Sequence, residues 1–193
     1  MALPPSQMGE AILRNLEPKT GHALAHWLDV LRASGAADAR TGREVLEAAG
    51  LGHFQAVKVW EASRGDDPYG DPGALVDALF PDGPARAAYE AFAKTCLALG
   101  DGVVARPCRT YVPFYAARQF AVVKPGEAPG VLRVGVALAG TAPDDALAQA
   151  AGLAAASGLG APVRIAHAFA VDGEPSAAQV SVLAEAYRQN AAS

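Results

Sequence analysis

The sequence predicts an α+β protein. A small N-terminal four-helix domain covers residues 1–65, and residues 74–193 form an antiparallel or mixed sheet of about five strands packed with helices. Three observations carry this. Up to about Gly65 the apolar residues recur at helical spacing. The stretch Asp66-Asp67-Pro68-Tyr69-Gly70-Asp71-Pro72-Gly73 then supplies turn formers instead of any period. From Val103 onward β-rich runs dominate.

The first helix is expected from Gln7 to about Glu17, with Met8, Ile12, Leu13 and Leu16 on one side and Pro18 ending it. Thr20 is a suitable N-cap for a second helix, Gly21 to Ala33, where Leu24, Trp27, Leu28 and Leu31 make an i, i+3, i+4, i+7 stripe. Thr41 with Glu44 three residues on has the capping-box arrangement for a third helix, apolar at Val45, Leu46 and Ala49 and closed by Gly50. A fourth runs from about His53 to Ser63 with Phe54, Val57 and Trp60 inward. The third and fourth, joined through Gly50-Leu51-Gly52, also read as a helix-turn-helix.

The second domain opens with helices over Ala74–Phe80 and Gly83–Leu99. In the latter Ala85, Tyr89, Phe92, Cys96 and Leu99 share a stripe. Strands are expected at Val103–Arg106, Arg109–Tyr115, Gln119–Lys124 and Val131–Leu138. Pro143-Asp144-Asp145 starts an alanine-rich helix to about Ser157, with the carboxylates favouring its N-terminus. Val163–Val171 is a fifth strand. Glu174-Pro175-Ser176 leads into a final helix, with Val180, Leu183, Ala184 and Tyr187 inward.

Bulk composition narrows the class. Half of the 193 residues are apolar, which excludes disorder of the whole chain, and the net charge of −4 argues against a purely electrostatic nucleic-acid binder. No apolar run reaches the roughly 18 residues a bilayer span needs. Met1–Ser6 has neither the basic nor the apolar region of a secretory leader, so a cytoplasmic protein without membrane contact is expected. In that setting Cys96 and Cys108 are expected as free thiols, and their spacing matches no zinc or redox motif.

Strand parity nominates a site. In Val131–Leu138 the residues Leu132, Val134, Val136 and Leu138 make a core face, leaving Arg133, Gly135 and Ala137 on the other. In Val163–Val171 the core face is Val163, Ile165, His167 and Phe169, and Arg164 points away. Val112 and Phe114 look inward, so Arg109, Tyr111 and Tyr115 face out, with Arg118 at the start of the next strand. Arg109, Tyr111, Arg118, Arg133 and Arg164 are therefore expected on one sheet face among small residues. Between Val103 and Arg133 stand five basic residues and one acid, Glu127. Such a face suits an anion, a carboxylate or a nucleic-acid backbone, and it also suits an ordinary solvated surface.

Other polar residues read as structural. His22 and His26 have metal-capable i, i+4 spacing but lie opposite the apolar stripe, so no metal is expected there. His53 is read as a helix-start residue and His167 as a core histidine. Asp66, Asp67 and Asp71 lack the spacing of a calcium loop. No phosphate loop, dinucleotide fingerprint, serine elbow or zinc-protease pattern is present, so no catalytic residue and no cofactor is assigned.

Lys19-Thr20-Gly21, Trp27 with Leu31, Gly50-Leu51-Gly52-His53 and Ala56 resemble a small bacterial helical domain of unknown function with a KTG…W…GLGH…A layout. From Leu79 to Tyr187 the chain resembles a second domain of unknown function that follows it. That likeness rests on Arg109-Thr110-Tyr111-Val112, Arg118-Gln119-Phe120-Ala121-Val122, the Leu132–Gly140 strand and Ala186-Tyr187. Members also occur beside predicted nuclease domains, and some are labelled predicted transport proteins. Phe54-Gln55 and Ala161-Pro162 depart from the two layouts. The resemblance implies the domain division and draws interest to Arg109, Tyr111, Arg118 and Phe120, without a substrate.

The function expected is a cytoplasmic, two-domain, non-enzymatic binding or regulatory protein. Its α+β domain would hold a small anion or a protein partner on the arginine face, and its helical domain would make a second contact or dimerise. Nucleic-acid binding through the helix-turn-helix is the first alternative; the acidic excess up to Gly73, seven basic against ten acidic residues, weighs against it. An enzyme acting on an acidic substrate is the second.

Overall fold

A computed structural model of the chain describes residues 5–65, 71–138, 143–157, 159 and 165–191. The chain is α+β and divides into two compact units, Leu3–Asp71 and Pro72–Ser193.

The first unit contains α1 (Pro5–Arg14), α2 (Leu16–Thr20), α3 (Leu24–Ser34), α4 (Ala39–Ala48) and α5 (His53–Ser63), five helices where the periodicity predicts four. Pro18 does not end a helix. It stands in the first turn of α2, where a backbone N–H has no intrahelical acceptor to lose. Thr20 closes α2 instead of opening α3: its Oγ1 donates to the Leu16 carbonyl at 2.7 Å and accepts the His22 N–H at 3.2 Å. The cap of α4 is Asp38 and not Thr41. Its carboxylate accepts the backbone N–H of Arg40 and Thr41 at 2.9 and 3.0 Å and the Thr41 hydroxyl at 2.9 Å.

Leu16, Trp27, Leu31, Leu46, Leu51, Ala56 and Val59 form the core of this unit. The inward stripe of α5 is Ala56, Val59 and, partly, Trp60. Phe54, two residues before Ala56 and so turned through about 200° from it, is 75% exposed instead of inward. Trp27 is buried, whereas Trp60, expected inward, is half-buried.

The second unit opens with α6 (Pro72–Leu79) and α7 (Pro84–Leu97). Six strands follow among the described residues: β1 (Val104–Ala105), β2 (Val112–Tyr115), β3 (Gln119–Pro125), β4 (Val131–Val136), β5 (Ala154–Ala155) and β6 (His167–Asp172). Their order is β1-β2-β3-β4-β6-β5, and every neighbouring pair is antiparallel. Two further helices are α8 (Asp145–Ala151) and α9 (Ala177–Ala191).

The alanine-rich helix stops at Ala151, not Ser157. Gly152 takes a left-handed conformation at φ 67°, and the chain straightens into β5, the sixth strand that periodicity misses. β6 starts only at His167; residues 163 and 164 lie outside the described residues. Ser176 caps α9 in a reciprocal pair with Gln179, at 3.3 and 3.0 Å. The buried stripe of α9 is Val182, Leu183, Ala186 and Asn190, so Val180, Ala184 and Tyr187 sit at its margins.

Alternation divides the sheet as expected for β4. Leu132, Val134 and Val136 join Phe169 and Val171 of β6 and pack with Phe92 and Cys96 of α7 and with Val182 and Leu183 of α9. On the opposite face a smaller cluster holds Val122, Ala137, Ala168, Leu159 and Ile165. Ile165 therefore does not share the core face of Phe169. It precedes the strand, where the two-residue alternation no longer binds it. Gly135 makes this cluster feasible, since a Cβ there would come within 2.4 Å of Ile165 Cγ2 and 2.7 Å of Leu159 Cδ1.

Candidate functional site

The sheet face opposite α7 and α9 carries Tyr111 and Arg133 of the residues that parity nominates, together with Lys124, which it overlooks. Val112 of β2 pairs with Val123 of β3, so Tyr111, one residue earlier, stands beside Lys124. Lys124 is directly opposite Arg133 of β4, and Arg133 is directly opposite Ala170 of β6. One row across the sheet thus reads Tyr111, Lys124, Arg133, Ala170. Tyr111 is half-buried against the Val122–Ile165 cluster, and Lys124 and Arg133 are both half-buried. Lys124 closes a predicted strand, and its pairing with Arg133 places it on this face.

Arg133 is held in place. Its Nη2 donates to the Ser157 carbonyl at 2.6 Å and to the Ser157 hydroxyl at 3.0 Å. The pairing depends on the chain continuing past β5 as an extended segment rather than as helix. α8 itself packs on α9, so it does not cover this face.

Beside Arg133 the surface falls into an open trough of about 400 Å³. Ala154, Ala155, Ala168 and Ala170 give it small walls, and Val131 and the turn at Gly126–Ala128 close one end. Arg133 is the one cation among its lining residues and Glu127 the one anion. The turn is shaped by Gly126 N–H donating to the Val131 carbonyl at 2.8 Å and Val131 N–H to Ala128 at 3.1 Å.

Arg118 and Arg109 lie elsewhere. Arg118 does not join the row. Its guanidinium donates to the Gln189 carbonyl at 3.2 Å and its backbone N–H to the Asn190 carbonyl at 3.0 Å, so it caps the last turn of α9. Arg109 is exposed in the bend before β2, which begins at Val112 and not at Arg109. Arg164 lies outside the described residues. Tyr115 carries the Arg106 guanidinium over its ring at 4.8 Å from the centroid. Burial pushes the Tyr115 phenol above its usual range, the neighbouring Cys108 adds to this, and Arg106 opposes it.

The histidines are placed as follows. His22 and His26 stack on each other with centroids 4.0 Å apart, and both meet the Trp27 ring edge-on. His53 Nδ1 lies 2.8 Å from Glu47 Oε1. His167 is half-buried in β6. Among the described residues no three His, Cys, Asp or Glu side chains converge as a metal site would need. No helix among them is long and apolar enough to cross a membrane.

Residues 76–190, more than half of the chain, match the family described as "Domain of unknown function (DUF5655)". The chain belongs to that family. Its match takes in the row Tyr111–Lys124–Arg133–Ala170 and the trough beside it. No curated protein matches the chain, and no solved structure does.

Proposed function

We propose that this chain is a binding protein whose α+β unit holds a small anion on the sheet face at Lys124 and Arg133. The observation that carries the reading is the cross-strand register of these two residues. An anion seated between them is met by two charge-assisted contacts, and Arg133, already oriented by Ser157, loses little freedom in making its own. The trough gives the rest of such a ligand somewhere to lie.

The helix-turn-helix alternative has less behind it. Lys58 is the single basic residue of α5, and it is paired with Glu61 at 2.6 Å. A recognition helix of that composition offers a phosphate backbone little.

The test is a calorimetric titration of the full chain with inorganic phosphate and acetate at low and moderate salt. Binding that falls about tenfold or more in Arg133→Ala and in Lys124→Ala, but not in Arg109→Ala, is the expected result. Equal binding by all four proteins, or none by any, rejects the site.

A further inference from the structure

We infer that the ligand of this trough is a short peptide of two or three residues, bound through both free termini. The inference rests on the anion-site reading above and extends it with a second charge. Glu127 is the only acid between Val103 and Arg133, and it lines the same trough as Arg133. Its carboxylate makes no ion pair and no side-chain hydrogen bond among the described residues. Every other residue lining the trough is apolar. A cation and an anion in one trough with small apolar walls are the complement of a zwitterion.

The spacing selects its length. Val131 lies two residues from Arg133 on the same face of β4, about 7 Å along the strand. Gly126 is tied to Val131 across the turn, and Glu127 stands just beyond it. The backbone positions that carry the two charges therefore lie further apart than the roughly 3 Å between ammonium and carboxylate of one amino acid. An extended chain advances at most about 3.6 Å per residue, so two or three residues span the gap. A carboxylate with a plain alkyl tail fits poorly, because the tail would strip water from Glu127 and return nothing to it. The alanines at 154, 168 and 170 leave room for small side chains of the guest.

The experiment is calorimetry on the full chain with four probes: trialanine, N-acetyl-trialanine, trialanine amide and inorganic phosphate. Trialanine is expected to bind about tenfold or more tightly than either blocked form. In Glu127→Gln the gap between trialanine and its N-acetyl form closes while phosphate binding is kept; in Arg133→Ala trialanine and phosphate are both lost. Glu127 is exposed on a turn, so its replacement leaves the fold intact, and a matching thermal melt checks this. If trialanine and N-acetyl-trialanine bind alike, or if phosphate binds and no peptide does, the peptide inference is overturned and the anion site stands. If neither phosphate nor peptide binds, both fall.

Discussion

The Asn190 side chain donates from one nitrogen to two carbonyls, that of Ala137 at 2.9 Å and that of Ala186 at 2.8 Å. Asn190 is the single buried polar residue among those described. The first of these bonds ties the last turn of α9 to the chain leaving β4. Replacing Asn190 with alanine strands the Ala137 carbonyl away from water. The expected cost is about 1–3 kcal/mol, read as a lower urea midpoint with an unchanged slope. A variant as stable as the parent shows that water reaches Ala137.

Gly42 and Trp60 set two effects against each other. Gly42 lies inside α4, where alanine is intrinsically better by about 1 kcal/mol. Yet a Cβ at Gly42 would sit 2.1 Å from a carbon of the Trp60 ring. Overpacking a rigid ring costs about 1–3 kcal/mol, so Gly42→Ala is expected to destabilise the helical unit on balance. Tryptophan fluorescence should shift with it, because Trp60 must move. A stabilised variant with unchanged emission would show the ring yields freely.

Asp38 gives the helical unit an acid limb. Two backbone N–H groups and the Thr41 hydroxyl hold its carboxyl below the usual 3.8, the Thr41 backbone contributing most. A carboxyl depressed in the folded state stabilises the fold above its unfolded pKa, and this is lost as pH falls through the folded value. Thermal melts from pH 5 to pH 2 should therefore steepen in their decline below about pH 4. Asp38→Asn keeps a competent cap that does not titrate, so it should remove this part of the decline while changing the melt at pH 7 little. Parallel acid declines for the two proteins would remove Asp38 as the cause.

The two thiols should be told apart by a disulfide exchange reagent. Burial pushes the Cys96 thiol far up and raises that of half-buried Cys108 less. The thiolate is the reacting species, so native protein at pH 8 is expected to label Cys108 slowly and Cys96 only on unfolding. Raising the pH should speed Cys108 first. Rapid labelling of both in the native state would mean that α7 opens readily.

The division at Asp71 invites a direct trial. The core cluster of the sheet draws on Val76 through Tyr187, and that of the helices on Leu13 through Trp60, without a shared residue. We expect a fragment of residues 71–193 to give a cooperative melt and to keep the phosphate response of the full chain. A fragment without a cooperative transition would make the helical unit part of the folding unit.

Legibility in the sequence follows how local each cause is. The helix of Phe92 and Cys96 and the alternation of Leu132, Val134 and Val136 depend on periods of a few residues, and both are readable. The strand at Ala154–Ala155 is not, because its alanines favour helix and only Gly152 turns the chain. Phe54 reads as core by its type, but only the packing of Ala56 and Val59 fixes which side of α5 is inside. At the site, Arg133 and Tyr111 follow from parity. Lys124 belongs to the same row, yet a cross-strand register between β3 and β4 is needed to see it. Arg118 reads as part of the face because the sequence does not reveal that the end of α9 arrives beside it.

The strand order carries a consequence in time. β1 to β4 are joined by successive turns, so each can zip onto its predecessor as the chain collapses. β5 pairs only with β6, and β6 reaches the rest of the sheet only through β4. We expect the contact of Ser157 with Arg133, which joins residues 24 apart in the chain, to form after the local pairings of β1 to β4. Interactions absent from the rate-limiting barrier speed unfolding when removed and leave refolding nearly unchanged. A ligand bound beside that contact is then expected to act on how long the fold survives rather than on how fast it is reached.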